Sequence, residues 1–263
     1  MIDLDEVIAN KFKGAKVPAW AVRFFKRLIH LDFINEHIRR SGHEGDEFCR
    51  DIIRQLDITV DVKGLENIPA DGTLYTFASN HPLGGVDGMT LCGLIGERFG
   101  QVRMLVNDFL MYIEPLAPLC VPVNKTGAQA RDLPQRVDEA FHSSQQMLMF
   151  PAGACSRRTD GIIQDYPWTK TFIKKSVETG RPIVPVHFIG ENSPRFYRIA
   201  TWCRRLGIKF NIAMLFLPDE MCRSQHGHYR VVFGEPIPPE RFDSSRSAAE
   251  WAAVVREEVY RLS

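Results

Sequence analysis

From residue 57 onward, apolar side chains fall in short runs between turn residues, and these runs alternate with longer stretches of helical periodicity. Runs at 58–62 and 74–78, divided by the turn Pro69-Ala70-Asp71-Gly72, predict early strands. Residues 88–99 predict a helix with Asp87 as N-cap and Gly100 as C-terminal cap. Strands are expected at 103–106 and 120–123, a polar-faced helix at 128–146, a strand at 147–150 and a helix at 169–179 closed by Gly180. A buried strand at 183–189, a basic helix at 194–206, a late strand at 229–233 and a closing helix at 247–262 complete the pattern. Such βα alternation predicts an α/β fold, a layered sheet flanked by helices. No repeat, low-complexity tract or long flexible linker interrupts it.

The N-terminal part has a different character. Residues 11–40 carry Lys11, Lys13, Lys16, Arg23, Lys26, Arg27, Arg39 and Arg40 against Asp32 and Glu36 alone. Trp20, Val22, Phe24, Phe25, Leu28, Ile29, Leu31, Phe33 and Ile34 are interleaved at a spacing that predicts an amphipathic helix starting near Pro18. Such a helix can lie on an anionic bilayer or dock on the protein's own core, and the two are compatible. The expected organisation is therefore a helical, membrane-proximal segment at 1–56 and an α/β domain at 57–263. No stretch approaches the roughly 18 uninterrupted apolar residues of a spanning helix. Residues 1–10 are acidic and lack the order of a secretory signal. A cytoplasmic protein, peripheral on the inner face of the cytoplasmic membrane, is expected.

With 263 residues, 44% of them hydrophobic, the chain can bury a substantial core. Its 33 basic and 32 acidic side chains leave a formal charge of +1, which argues against nucleic acid as a partner and makes any attraction to phosphate local. Cys49, Cys92, Cys120, Cys155, Cys203 and Cys222 lie far apart, without metal-ligand spacing, and read as reduced core thiols. Neither a metal nor a cofactor is expected.

The chemistry concentrates at Ala78-Ser79-Asn80-His81-Pro82-Leu83-Gly84-Gly85-Val86-Asp87-Gly88, where a His follows a strand and a carboxylate starts the next helix. Six residues along a regular helix rotate by about 240°, so His81 and Asp87 meet only if the Pro and paired Gly fold the segment into a loop. Asp87 can then fix the imidazole tautomer and leave the other nitrogen to take a proton from an alcohol. A second strand end feeds Phe150-Pro151-Ala152-Gly153-Ala154-Cys155-Ser156-Arg157-Arg158, whose turn can present backbone N–H groups and Arg forks to a phosphate or carboxylate. The plainer reading of that turn has its arginines paired with Asp160 or Asp165. Ile183-Val184-Pro185-Val186-His187 reads as a buried strand with a structural His187.

In this order the segments resemble the glycerolipid and lysophospholipid acyltransferases, often called PlsC-like. That family's first block, Asn-His then Asp, is matched by Asn80-His81 and Asp87-Gly88. Its second is matched by Val121-Pro122-Val123-Asn124-Lys125, its third, Phe-Pro-Glu-Gly-Thr-Arg-Ser, by residues 150–156, and its fourth by Val184-Pro185-Val186. Two departures stand out: five residues rather than four separate His81 from Asp87, and Ala152 replaces the Glu that helps hold the usual glycerol phosphate acceptor. The longer loop with Phe-Pro-Ala-Gly and Ser-Arg-Arg is similar to a bacterial, hemolysin-related branch that includes O-acyltransferases of amino-acid lipids.

The resemblance implies transfer of a fatty acyl group from an acyl-carrier-protein or coenzyme A thioester to a lipid hydroxyl, with His81 as base and Asp87 as its partner. Gly84, Gly85 or Gly153 would supply oxyanion donors, and Arg157 and Arg158 would bind the acceptor's phosphate or carboxylate. Asn80, Lys125 and Ser156 join the expected substrate-binding set through the matched blocks. An N-acyl amino-acid lipid is the expected acceptor, with lysophosphatidate the alternative. A lipid hydrolase using Ser79 or Ser156 is a competing reading, weakened by the lack of a G-x-S-x-G elbow. A non-catalytic membrane-binding protein is another, and rests on the N-terminal segment alone.

Overall fold

The computed structural model describes residue 2 and residues 18–123, 132–206 and 215–263. Three helices lead the described chain: α1 (Ala19–Leu28), α2 (Leu31–Ser41) and α3 (Gly45–Gln55). Among the described residues a seven-stranded sheet follows in the order β1-β9-β8-β2-β5-β3-β4. Its strands are β1 (Thr59–Lys63), β2 (Thr76–Ser79), β3 (Val102–Val106), β4 (Cys120–Pro122), β5 (Gln146–Met149), β8 (Ile183–Ile189) and β9 (His228–Phe233). β8, β2, β5, β3 and β4 run parallel, while β9 is antiparallel to β8 and carries β1 alongside it. A separate hairpin joins β6 (Arg157–Thr159) to β7 (Ile162–Gln164).

Both faces of the sheet are covered, as a buried parallel sheet requires. Phe77, Leu148, Val184 and Val186 point to one face, where they meet Phe48 and Ile52 of α3 and Leu91 and Ile95 of α4 (Val86–Phe99). Ala78, Met147, Met149 and Ile183 point to the other, where α5 (Leu133–Phe141), α6 (Thr171–Thr179) and α9 (Ala248–Arg261) supply Phe141, Phe172, Ile173, Trp251, Val255 and Val259. Neighbouring residues of a strand thus serve opposite layers. Ile38, Phe48, Ile52 and Leu56 share a core with the sheet, so the expected boundary after residue 56 falls inside one hydrophobic cluster. Glycines permit the closest approach there: a Cβ on Gly96 would lie 2.5 Å from Asp46 Cβ, and one on Gly93 2.9 Å from Arg50 Cγ. Their cost to helix α4, about 1 kcal/mol each relative to Ala, is offset by the packing of α3 against them.

Three expectations about elements are corrected. The single amphipathic helix expected from Pro18 is broken at His30, which takes a left-handed conformation with φ 50°. The His30 ring turns to the Asp219 carboxylate, Nε2 to Oδ1 2.8 Å, and that contact draws the chain out of its helical path. The helix expected to run to 146 ends at Phe141, because buried Arg181 donates to the carbonyls of Phe141, Ser143 and Gln145, which a continuing helix would need for itself. Finally, α4 begins at Val86 with Gly85 at its N-cap, so Asp87 sits in the first turn rather than before it.

Candidate active site

The loops that leave β8, β2 and β5, three adjacent parallel strands, converge at their C-terminal ends. In α/β sheets this is the edge at which ligands are bound. The β2 loop carries His81, whose Nδ1 lies 3.0 Å from Asp87 Oδ2. Asp87 is fully buried, and the same Oδ2 accepts N–H bonds from Leu83 at 2.8 Å and Gly84 at 3.2 Å, while Oδ1 accepts from Gly88 at 2.9 Å. The five-residue spacer is thereby wrapped around the carboxylate. Its tight point is Gly84, with φ 79°, where a Cβ would lie 2.3 Å from Cys155 Sγ and 2.9 Å from Leu217 Cδ2. A residue other than Gly would meet both a strained backbone and an occupied space.

An acceptor carboxylate at Nδ1 places the proton there and leaves Nε2 as the basic nitrogen. Nε2 makes no hydrogen bond among the described residues, and the side chain retains 17% exposure. Burial disfavours the imidazolium; the Asp87 carboxylate outweighs it, Asp165 adds to the effect and Arg157 opposes it, so that the His81 pKa stands above its ordinary value. For Asp87, burial pulls upward but the imidazole and the loop N–H groups hold the pKa below the ordinary carboxylate range. Phe150 stacks on the His81 ring with centroids 4.0 Å apart, walling one face.

The β5 loop fixes the backbone of His81. Ser156 N–H donates to His81 O at 2.8 Å, and His81 N–H donates to Asp165 Oδ1 at 3.2 Å. Ser156 Oγ donates to that same Oδ1 at 2.5 Å, and Trp168 Nε1–H donates to Oδ2 at 3.0 Å. Asp165 is 3% exposed, and burial raises its pKa despite these donors. The β8 loop adds Asn192, whose Nδ2 donates to Pro82 O at 3.0 Å.

Of the expected substrate-binding residues, the structure brings most to this edge but changes what several do. Asn80 is buried and bridges β2 to β8, donating from Nδ2 to Phe188 O at 2.9 Å and accepting Phe188 N–H at 2.7 Å, so its amide serves the frame. Gly84 N–H is engaged by Asp87 and Gly153 N–H by Phe150 O at 2.9 Å; neither is poised for an oxyanion. Gly85, at the start of α4, makes no such bond among the described residues. Ser156 is buried on Asp165, and Ser79 Oγ donates to Asn80 O, so neither hydroxyl is on the His81 ring as a hydrolase nucleophile would be.

The arginines lie on strand β6 instead of a turn, and strand alternation separates them. Arg157 is buried, donates to the carbonyls of Cys155 at 2.9 Å and Ser156 at 3.1 Å, and lies over the Phe196 ring. Arg158 is exposed over Tyr197, and neither pairs with Asp160 or Asp165 as the plainer reading had it. Lys125 lies outside the described residues. Asp165, Asn192 and Trp168 were missed by sequence reasoning. The sequence offers Asp165 merely as an ion-pair partner, and nothing local distinguishes a carboxylate destined for a His loop 84 positions away.

Among the described residues no Ser or Cys side chain is hydrogen-bonded to the His81 ring, and a His–carboxylate pair on a βα loop is an arrangement able to activate a hydroxyl on a substrate. The chain matches the acyltransferase family over residues 6–263 and belongs to it; it is an acyltransferase. It is 50% identical to a lyso-glycine lipid O-acyltransferase of Bacteroides thetaiotaomicron, over 100% of this chain and 97% of that protein. It is 46% identical to the lyso-glycine lipid O-acyltransferase of Phocaeicola vulgatus, over 100% and 95%. The crystal structure of the 1-acyl-sn-glycerophosphate acyltransferase PlsC from Thermotoga maritima aligns with a TM-score of 0.47 at 16% identity, covering 89% of this chain and 94% of that one.

Proposed function

We propose that the enzyme O-acylates the hydroxyl of a lyso-glycine lipid or a closely similar N-acyl amino-acid lipid, using an acyl-carrier-protein or coenzyme A thioester, at an anionic membrane surface. The observation that carries the chemistry is the 3.0 Å contact of His81 Nδ1 with buried Asp87, which leaves Nε2 as base. The acceptor class is supported by full-length identity of 46–50% to two enzymes of that name, and by Ala152 at the place where the glycerol phosphate enzymes resembled carry Glu.

His81 Nε2 takes the proton of the acceptor hydroxyl as its oxygen attacks the thioester carbonyl. The carbonyl oxygen gains negative charge, held by the N–H groups of Gly85 and Val86 at the positive end of α4. Collapse of the tetrahedral intermediate breaks the C–S bond, and the leaving thiolate takes back the proton from His81, so the ester forms with no net proton change. Asp87 balances the transient imidazolium. Arg158, exposed over Tyr197, would meet an anionic acceptor group, while Arg157 supports the loop from within.

Incubating wild-type and His81→Ala protein with labelled acyl-carrier-protein or coenzyme A thioesters, and separately with lyso-glycine lipid and lysophosphatidate, tests this by mass spectrometry of the products. A diacylated glycine lipid made by wild type alone is expected. Labelled phosphatidate would move the acceptor to the glycerol phosphate class, and transfer that survives His81→Ala would remove His81 from the mechanism.

A further inference from the structure

Helix α7 (Pro194–Arg205) runs beside the active-site loops and has two unlike faces. Phe196 and Tyr197 are buried against Cys155, with Ala200 and Leu217 packed around them; Leu217 is also the neighbour that a Cβ on Gly84 would strike. The opposite face presents Arg195, Arg198, Trp202 and Arg205, followed by Leu206, all exposed; Trp202 and Leu206 are 67% and 69% accessible. At 3.6 residues per turn these five positions fall within about 100° of arc. Arg204, on the far side of the helix from them, instead donates to Thr159 of β6. The helix has no acidic side chain.

Helix α1 repeats the design. Trp20, Arg23, Phe24 and Arg27 are exposed, with Trp20 at 68% and Phe24 at 59%, and their i, i+3, i+4, i+7 spacing is again one stripe. This helix also lacks acidic residues. A stripe that faces away from the core and combines large apolar groups with arginine alone is complementary to an apolar layer beneath an anionic surface. The two helices meet at one carboxylate. Asp219, in α8 (Leu217–Arg223), accepts from His30 just beyond α1 at 2.8 Å, from Arg195 in the first turn of α7 at 3.1 Å, and from Arg223 at 2.9 Å.

We propose that the outer stripe of α7 is a second bilayer contact, acting with α1 through the Asp219 node to seat the active-site loops on an anionic lipid surface. The proposal deepens the peripheral-membrane reading above and adds a contact some 170 residues away in sequence, directly backed by the loop that holds His81.

The full-length protein is sedimented with vesicles of phosphatidylcholine alone and of phosphatidylcholine with phosphatidylglycerol. Wild type and His81→Ala are expected to bind the anionic vesicles equally. Arg198→Glu/Arg205→Glu and Trp202→Ser/Leu206→Ser should each weaken binding by about tenfold or more, with unchanged thermal unfolding. In Trp20→Phe protein, lipids brominated on their acyl chains should still quench tryptophan emission, and adding Trp202→Phe should abolish that quenching, since Trp168 and Trp251 are buried. Wild-type binding by both α7 variants, or no quenching in Trp20→Phe protein, overturns the α7 contact while leaving an α1 anchor intact. No vesicle binding by wild type overturns both. A lipid-free dimer that the α7 substitutions disrupt would give the face to a second copy of the chain, and would also overturn the proposal.

Discussion

Asp165 Oδ1 accepts the backbone N–H of His81 at 3.2 Å while accepting Ser156 Oγ–H at 2.5 Å, and Ser156 N–H in turn donates to His81 O at 2.8 Å. His81 is therefore held from both of its peptide groups by a network centred on a buried carboxylate that makes no hydrogen bond to its ring. In the proposed reaction Asp165 would be a positioning residue, and it also adds negative potential beside the imidazole.

Asp165→Asn keeps the size but removes the charge and one of the acceptor oxygens. We expect kcat to fall about tenfold or more with little change in acceptor KM, and the rising limb of the pH–rate profile to move to lower pH. A loss of thermal stability with an unmoved pH profile would confine Asp165 to a structural role.

The raised His81 pKa sets the sign of the pH dependence. kcat/KM should rise with pH to a plateau, with an apparent pKa above 6.5, as Nε2 loses its proton. Asp87→Asn should shift that limb downward and cut kcat by about 10³ or more. For stability, His81's contribution is complete below 6.5 and lost as pH rises through its raised folded pKa, while Asp87's is complete above 3.8 and lost as pH falls through its lowered one. The difference in Tm between wild type and His81→Ala should thus be greatest between those values; a difference independent of pH would contradict the pairing.

Gly84→Ala should destabilise the protein by about 1–3 kcal/mol through its positive φ and the contact with Cys155 Sγ. Adding Cys155→Ala should recover part of the loss, the Leu217 contact remaining. Cys155→Ala alone should keep activity, because burial pushes that thiol up to about 12 and leaves it no nucleophile. Iodoacetamide inactivation of the native enzyme that Cys155→Ala prevents would contradict this.

Arg157 and Arg158, adjacent in sequence, should separate in their effects. Arg157→Ala empties a buried site and leaves the Cys155 and Ser156 carbonyls without their donor, so thermal stability should drop by about 2 kcal/mol or more, and kcat with it. Arg158→Ala should leave stability within about 0.5 kcal/mol and raise the acceptor KM several-fold. Equal effects on stability would mean that the β6 alternation does not govern their roles.

Much of this protein is written locally. Strand and helix periodicity, the Pro and Gly of the 82–85 loop and the Ser247–Glu250 capping box follow from neighbours in sequence, and so do the β2 loop and the meeting of His81 with Asp87 across it. What the sequence could not reveal depends on partners supplied from far along the chain. Asp165 reaches the His81 loop from 84 positions away, Asn192 reaches Pro82 from 110, and Asp219 breaks the N-terminal helix at His30 from 189. Arg157 turns inward for a similar reason, since Phe196 and the Cys155 and Ser156 carbonyls await it there. Periodicity determines which face of an element is buried, because solvent alone sorts apolar from polar positions. Which buried polar group meets which, and hence what holds His81 in place, is decided when the sheet brings three strand ends together, since a desolvated donor or acceptor must find whatever partner that packing provides.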